Sequence, residues 1–216
     1  MRCVFFLVRH GQTQANIDDV FCGKTDLPLT QTGINQALYV SEALKNIPFQ
    51  SIHCSERKRT RQTAQIISPS SILSLPKIIS DYRLNELDFG AWELCHHADI
   101  AKDDPQAWSQ WLGDWQNGCP TGGEPFKNFA ERVGKYAEEL HSAITEANHL
   151  IVAHQGVLGL LLAKLLKLPI EAMWSFPFRQ GTYSIVDNHA GVITLRAFNA
   201  QMEYCPKDEY DSRLPD

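Results

Sequence analysis

The stretch Val4-Phe5-Phe6-Leu7-Val8-Arg9-His10-Gly11 decides how the chain is read. Five successive apolar residues, β-branched and aromatic types among them, suit a strand buried on both faces. The run stops at Arg9-His10-Gly11, which puts a titratable ring at the carboxyl end of that strand. The pattern recurs further along: Leu150-Ile151-Val152-Ala153 leads into His154, with Gly156 just behind. In open α/β sheets ligands bind at the carboxyl edge of the strands. Two histidines at matching positions are therefore expected to face each other across one crevice.

The remaining pattern alternates in type. Thr30 can cap a helix carrying Ile34, Ala37, Leu38 and Leu44 at helical spacing. Ser51–Cys54 reads as a short strand, Lys58–Ile67 as a helix stopped by Ser68-Pro69, and Lys77–Ile79 as another strand. Phe126, Phe129, Ala130, Val133, Ala137, Leu140 and Ile144 mark one face of a long helix. Val157–Leu166 is a nearly all-apolar helix ended by Pro169. Thr182–Val186 and Val192–Leu195 flank Asp187-Asn188-His189-Ala190-Gly191 as a hairpin. Leu84–Glu124, rich in Trp, Gly and Asp, reads as loops with one short helix, and 88–124 as a lid-like insertion. This order implies an α/β fold. We expect a three-layer α/β/α sandwich on a mostly parallel sheet with an antiparallel addition near the end, in a single domain over 1–216.

Composition fits that class. The chain has 216 residues, 44% hydrophobic and 21% charged, which excludes disordered, collagenous and coiled-coil chains. A chain of this size can bury roughly 70% of its unfolded surface, so folding needs neither disulfides nor metal. Twenty Lys and Arg against 25 Asp and Glu give a net charge of −5, which argues against nucleic acid as a partner. Any bound anion must be held by a local cluster of cations. The longest apolar stretch falls well short of the roughly 20 residues a bilayer needs, so no membrane partner is expected. Six scattered cysteines without a CxxC pair read as reduced thiols of a cytoplasmic protein.

Several clusters have residue types suited to chemistry. Ser55-Glu56-Arg57-Lys58-Arg59-Thr60-Arg61-Gln62-Thr63-Ala64 follows a strand and opens a helix. Guanidinium groups bind phosphate oxygens bidentately and a helix N-terminus favours anions, although only one or two of four cations on a helix can face one site. In Leu84-Asn85-Glu86-Leu87-Asp88-Phe89-Gly90-Ala91-Trp92-Glu93, a carboxyl beside apolar side chains would have its pKa raised and could donate a proton near neutrality. Spacing alone leaves Glu86, Asp88 and Glu93 as equals. Trp108, Trp111 and Trp115 form one helical stripe, read as packing or as a wall that stacks on a planar leaving group. Gly122-Gly123-Glu124 reads as a turn with a favourable helix-start charge, or as a substrate-contact loop. Cys95-His96-His97 is read as surface or structural, because adjacent residues rarely ligate one ion together.

Taken in order, these segments resemble a known signature. Leu7-Val8-Arg9-His10-Gly11-Gln12-Thr13 with Asn16, then Asp26-Leu27-Pro28-Leu29-Thr30 with Gly33 and Gln36-Ala37, Ser55…Arg59…Gln62-Thr63-Ala64, Leu84-Asn85-Glu86 and Val152-Ala153-His154 are similar to the histidine phosphatase superfamily, the phosphoglycerate mutase-like fold. Glu93-Leu94-Cys95-His96-His97, Trp111…Asp114-Trp115-Gln116, Pro120-Thr121-Gly122-Gly123-Glu124, Phe126…Phe129…Arg132-Val133 and His154-Gln155-Gly156-Val157-Leu158 narrow the likeness to the bacterial α-ribazole phosphatases of cobalamin synthesis. The likeness spans nearly the whole chain except its last dozen residues.

The resemblance implies roles. His10 would attack phosphorus and carry a phosphohistidine. Arg9, Arg59 and His154 would stabilise the equatorial oxygens of the transferring group. Glu86 would protonate the leaving oxygen and then deprotonate the attacking water. Asn16, Cys22, Gly23 and Gln155 would bind substrate. No metal and no cofactor is implied, and the partner is a small-molecule phosphate ester. Three departures stand out: Arg57 where an apolar residue is common, Cys22 where a hydroxyl is common, and Gln155 after the second histidine. The alternatives are a broad small-molecule or sugar phosphatase, a phosphoglycerate mutase, or a non-enzymatic phosphate-binding module.

Overall fold

The computed structural model describes residues 2–68, 76–143 and 145–204. Ile144 and Pro69, read above from sequence, and Cys205, one of the six cysteines, lie outside the described residues. Six strands, β1 (Arg2–Arg9), β2 (Phe49–Cys54), β3 (Lys77–Ser80), β4 (Ala147–Ala153), β5 (Tyr183–His189) and β6 (Val192–Ala200), form one sheet in the order β3-β2-β4-β1-β5-β6. β1, β2, β3 and β4 pair in parallel, whereas β5 runs antiparallel to both β1 and β6. The parallel sheet with an antiparallel addition is thus as expected.

β1 lies between β4 and β5, and its pleat explains its uninterrupted apolar run. Successive side chains point to opposite faces. Cys3, Phe5 and Leu7 enter one core with α6 (Phe126–His141) and α7 (Gln155–Leu165). Val4, Phe6 and Val8 enter the other, where α2 (Gln31–Ala43) and α3 (Lys58–Ile67) supply Val40, Ala43, Ala64 and Ile67. Helices therefore cover both faces, which makes three layers. α7 buries side chains around nearly its whole circumference, as an all-apolar helix must.

Local signals set the helix ends. The Thr30 hydroxyl accepts the Gly33 N–H at 3.1 Å and starts α2. No side chain of its own caps α3. Instead the Asp26 carboxylate accepts the Lys58 N–H at 2.6 Å. The hairpin tip is shorter than read from sequence: β5 and β6 continue to Ala190-Gly191, whose positive φ values of 51° and 88° make a two-residue turn. Leu38, expected on the apolar stripe of α2, is 53% exposed, and Val40 takes the buried position. The 88–124 segment carries two helices rather than one, α4 (His97–Asp103) and α5 (Pro105–Gly113). The helix foreseen from the Trp108-Trp111 spacing is α5, with Pro105 in its first turn; α4, started by the His96 ring, was not foreseen. A single helical turn, α1 (Gln14–Ile17), follows β1.

Candidate active site

The sheet register builds the centre of the site. Arg9 pairs with Ala153 across β1 and β4, so His10 and His154, one residue further along each strand, leave the sheet side by side. Their rings meet edge-to-face with centroids 5.1 Å apart, and both are buried. The expectation of facing histidines is therefore met.

The hydrogen bonds settle the protonation of each ring. His10 Nδ1 lies 2.7 Å from the Gly11 carbonyl oxygen. A carbonyl only accepts, so Nδ1 carries the hydrogen and Nε2 keeps its lone pair. Burial holds the His10 pKa well below the usual imidazole value, and the charges of Arg59 and Arg9 push the same way. The ring is neutral near pH 7 with a free basic nitrogen. His154 Nδ1 accepts from Arg59 Nε at 3.2 Å, which leaves the hydrogen on Nε2 to be donated to Ser55 Oγ at 2.8 Å. Its pKa is likewise held well below normal, first by burial and then by Arg59.

Arg59, near the start of α3, is buried and pairs with no carboxylate among the described residues. Its guanidinium donates to the carbonyls of Thr25 at 2.8 Å, Gly23 at 2.8 Å and Cys22 at 3.2 Å. Cys22 and Gly23, expected to bind substrate, are thus placed as holders of Arg59 through their main chain. Gly23 has no room for a side chain, because a Cβ there would overlap the Leu87 carbonyl. Arg9 donates to the Phe178 carbonyl at 3.0 Å, while its buried Nε has no partner among the described residues. The Arg57 Nε is in the same state. Buried donors left unpaired are costly, and an oxyanion would satisfy them.

Asn16 is exposed, and its amide oxygen accepts from Thr13 N, Thr13 Oγ1 and Gln180 Nε2 at 3.0, 3.1 and 2.8 Å. Its amide nitrogen makes no hydrogen bond to the described residues. Gln155 donates to the Phe176 carbonyl at 2.9 Å.

Glu86, Asp88 and Glu93, equal by spacing, separate in the structure. Glu93 accepts the N–H groups of Gly23, Lys24, Thr25 and Phe89 at 2.8–3.1 Å, which locks the loop that holds Arg59. Asp88 accepts the Gly90 N–H and pairs with Lys24. Glu86 is the one at the histidines: it accepts the Gly156 N–H at 2.9 Å, two residues after His154 and in the first turn of α7. Burial raises its pKa despite this bond and the one from its neighbour Leu87 N. A neutral imidazole nitrogen, guanidinium donors unpaired among the described residues and a carboxyl of raised pKa gather where β1 and β4 end. Such a set can transfer a phosphoryl group to nitrogen and protonate what leaves.

Other expected features resolve as packing. Trp108 and Trp111 meet the buried Trp92 edge-on at 5.6 and 5.9 Å, while Trp115 packs on Phe126 and Trp174. Phe21 and Phe89, next to the Arg59 loop, join Trp108 in a half-buried aromatic cluster that the sequence reading did not single out. His96 and His97 lie with Asp19 in a group whose ligand atoms are within 4.8 Å of one another. The His96 Nδ1 accepts the Ala98 N–H, however, so its proton sits on Nε2 facing Asp19 and that ring serves as a helix cap. Gly122, at φ 69°, lies in the expected turn, closed by the Gly123 N–H to the Pro120 carbonyl at 2.8 Å, and Glu124 follows it. Glu124 pairs with Arg132.

Comparison with known proteins agrees with this geometry. The family model of the histidine phosphatase superfamily (branch 1) matches residues 5–201. The adenosylcobalamin/alpha-ribazole phosphatase of Salmonella typhimurium is 39% identical over 202 residues, covering 94% of this chain and 98% of that protein. The protein of the same name from Escherichia coli is 41% identical over 196 residues, covering 91% and 95%. The crystal structure of the alpha-ribazole phosphatase from Shigella flexneri superposes with a TM-score of 0.87 at 40% identity, covering 95% of this chain and 99% of that one. A family model over most of its length, and relatives near 40% identity along almost the whole of it, place the chain in the histidine phosphatase superfamily, to which it belongs.

Proposed function

We propose that this chain hydrolyses α-ribazole 5′-phosphate, or the corresponding cobalamin 5′-phosphate, through a phosphohistidine on His10. The observation that carries the chemistry is the His10 tautomer: Nδ1–H bound to Gly11 O leaves a neutral Nε2 beside Arg9 and Arg59. Nε2 attacks phosphorus as the ester P–O bond breaks, and the leaving oxygen takes the Glu86 proton. The Glu86 carboxylate then takes a proton from water, whose oxygen attacks phosphorus. The P–N bond breaks, and inorganic phosphate leaves with His10 and Glu86 restored. Arg9 Nε, the one Arg59 N–H not engaged by His154, Thr25, Gly23 or Cys22, and the Asn16 amide nitrogen supply donors to the oxygens, and Gln155, next to His154, binds substrate. The side chains alone supply this chemistry, with no cofactor in any step. The substrate assignment rests on the names of the relatives. Phe21 and Phe89, half-buried beside the Arg59 loop, support it, because aromatic faces stack on planar bases. The described cysteines, Cys3, Cys22, Cys54, Cys95 and Cys119, are free thiols, which supports a cytoplasmic setting. No helix of the described residues is long and apolar enough to cross a membrane.

Phosphate release from α-ribazole 5′-phosphate, p-nitrophenyl phosphate and 3-phosphoglycerate, without added metal, tests the proposal. The nucleotide should show a kcat/KM well above the generic ester. His10→Ala should lose more activity than Asn16→Ala, because it removes the covalent route. Equal rates on the first two substrates would discard the nucleotide assignment and leave a broad phosphatase. Activity independent of His10 would discard the mechanism.

A further inference from the structure

The segment that carries Glu86 is held from behind by an ion pair with no part in the chemistry above. Arg132 on α6 has five N–H groups, and each finds an acceptor. Nε donates to Glu124 Oε1 at 2.7 Å, and Nη2 donates to Glu124 Oε2 at 2.8 Å and the Glu86 carbonyl at 3.1 Å. Nη1 donates to the carbonyls of Asn85 at 2.6 Å and Arg83 at 3.0 Å. The pair is largely buried, with side chains 13% and 20% exposed, and the guanidinium lies 4.8 Å over the Phe129 ring. A planar fork with every donor used fixes its partners in orientation as well as distance. From the other side Asn85 exchanges two hydrogen bonds with Glu56, which precedes the phosphate-clamp helix.

Arg132 bonds the main chain of Glu86, not its carboxylate, so it touches no reacting atom. We propose that Arg132, itself oriented by Glu124, is a positioning residue for proton transfer by Glu86: it fixes the backbone from which that carboxyl reaches the leaving oxygen. The inference rests on Glu86 being the proton donor. It predicts a dependence on the leaving group. An alkoxide must be protonated as the P–O bond breaks, whereas p-nitrophenolate leaves as a stable anion. Loss of position should therefore slow the alkyl ester selectively. Loss of packing alone would slow both substrates alike.

The test measures kcat/KM, which reports steps up to departure of the leaving group, for α-ribazole 5′-phosphate and p-nitrophenyl phosphate on the full chain. Arg132→Met should lose about 30-fold or more on the alkyl ester, as expected for a misplaced catalytic group, and less than about threefold on the aryl ester. Arg132→Lys should recover only part, since three donors on a flexible stem cannot replace the fork. In the Glu86→Gln background Arg132→Met should add almost nothing, because two residues acting through one step are not additive. Equal losses on both substrates, or full additivity with Glu86→Gln, would overturn the proposal. A leaving-group bias in Glu86→Gln that is absent from Arg132→Met overturns the positioning role and leaves Glu86 as donor. No bias in Glu86→Gln overturns the donor assignment itself, and the positioning role with it. If Arg132→Met does not fold, Glu124→Gln carries the same comparison: a selective loss on the alkyl ester supports the role, and equal losses overturn it.

Discussion

Gly156 sits where an added methyl group would first strike the carboxyl of Glu86, the proposed proton donor. A Cβ built on Gly156 falls 2.6 Å from Glu86 Oε1 and 3.3 Å from its Cδ, and ordinary contact begins near 3.4 Å. In Gly156→Ala the carboxyl oxygen must therefore retreat by about 0.8 Å. It is the far end of a flexible side chain, so the carboxyl yields rather than the fold. Alanine is also the better helix former in the first turn of α7, by up to about 1 kcal/mol. The melting temperature should accordingly move by no more than about 4 °C. A displacement approaching 1 Å in a reacting group costs up to about 10²-fold. The loss should appear in kcat/KM for α-ribazole 5′-phosphate and be nearly absent for p-nitrophenyl phosphate, whose leaving group needs no proton. Steady-state phosphate release on the two substrates, with a thermal melt beside it, is the assay. An unchanged rate on the alkyl ester, or the same fall on both substrates, would refute the reasoning.

Three further outcomes are expected. Burial holds His10, His154, His53 and His149 below the ordinary imidazole pKa. Their unfolded forms take up protons near pH 6.5 and their folded forms only at lower pH, so stability should fall as pH drops below about 6.5. Thermal melts from pH 8 to pH 5 that stay flat would contradict this. Glu93→Ala strands the N–H groups of Gly23, Lys24 and Thr25; it should cost about 2–3 kcal/mol in urea unfolding and lower activity on every substrate by loosening the Arg59 holder. Trp111→Ala removes a packing partner of Trp92, so it should lower stability by about 3 kcal/mol and affect KM for nucleotide and aryl esters alike; a rise in KM confined to the nucleotide would instead make Trp111 a stacking wall.

Much of the fold and the centre of the site were legible in sequence because they rest on local rules. An unbroken apolar run specifies a strand covered on both faces, and a histidine at its end lands on the ligand-binding edge of the sheet. Two such runs bring His10 and His154 together once their strands pair, and a strand-to-helix junction supplies Arg59. What the sequence could not apportion depends on contacts between distant segments. Glu86 was separated from Asp88 and Glu93 only by which carboxylate met α7 and which met the 22–25 loop. Cys22 and Gly23 turned out to hold Arg59 through carbonyl oxygens, a role that side-chain identity does not encode. The Trp108–Trp111–Trp115 stripe divided between two packing partners because α5 ends at Gly113, before Trp115, which turns to Phe126 while the other two meet Trp92. Arg132 reached Glu86 across 46 positions of chain. Spacing fixes which face of an element a residue occupies, whereas only the assembled tertiary structure fixes which charged and polar groups meet there, and those meetings set the protonation states on which this chemistry depends.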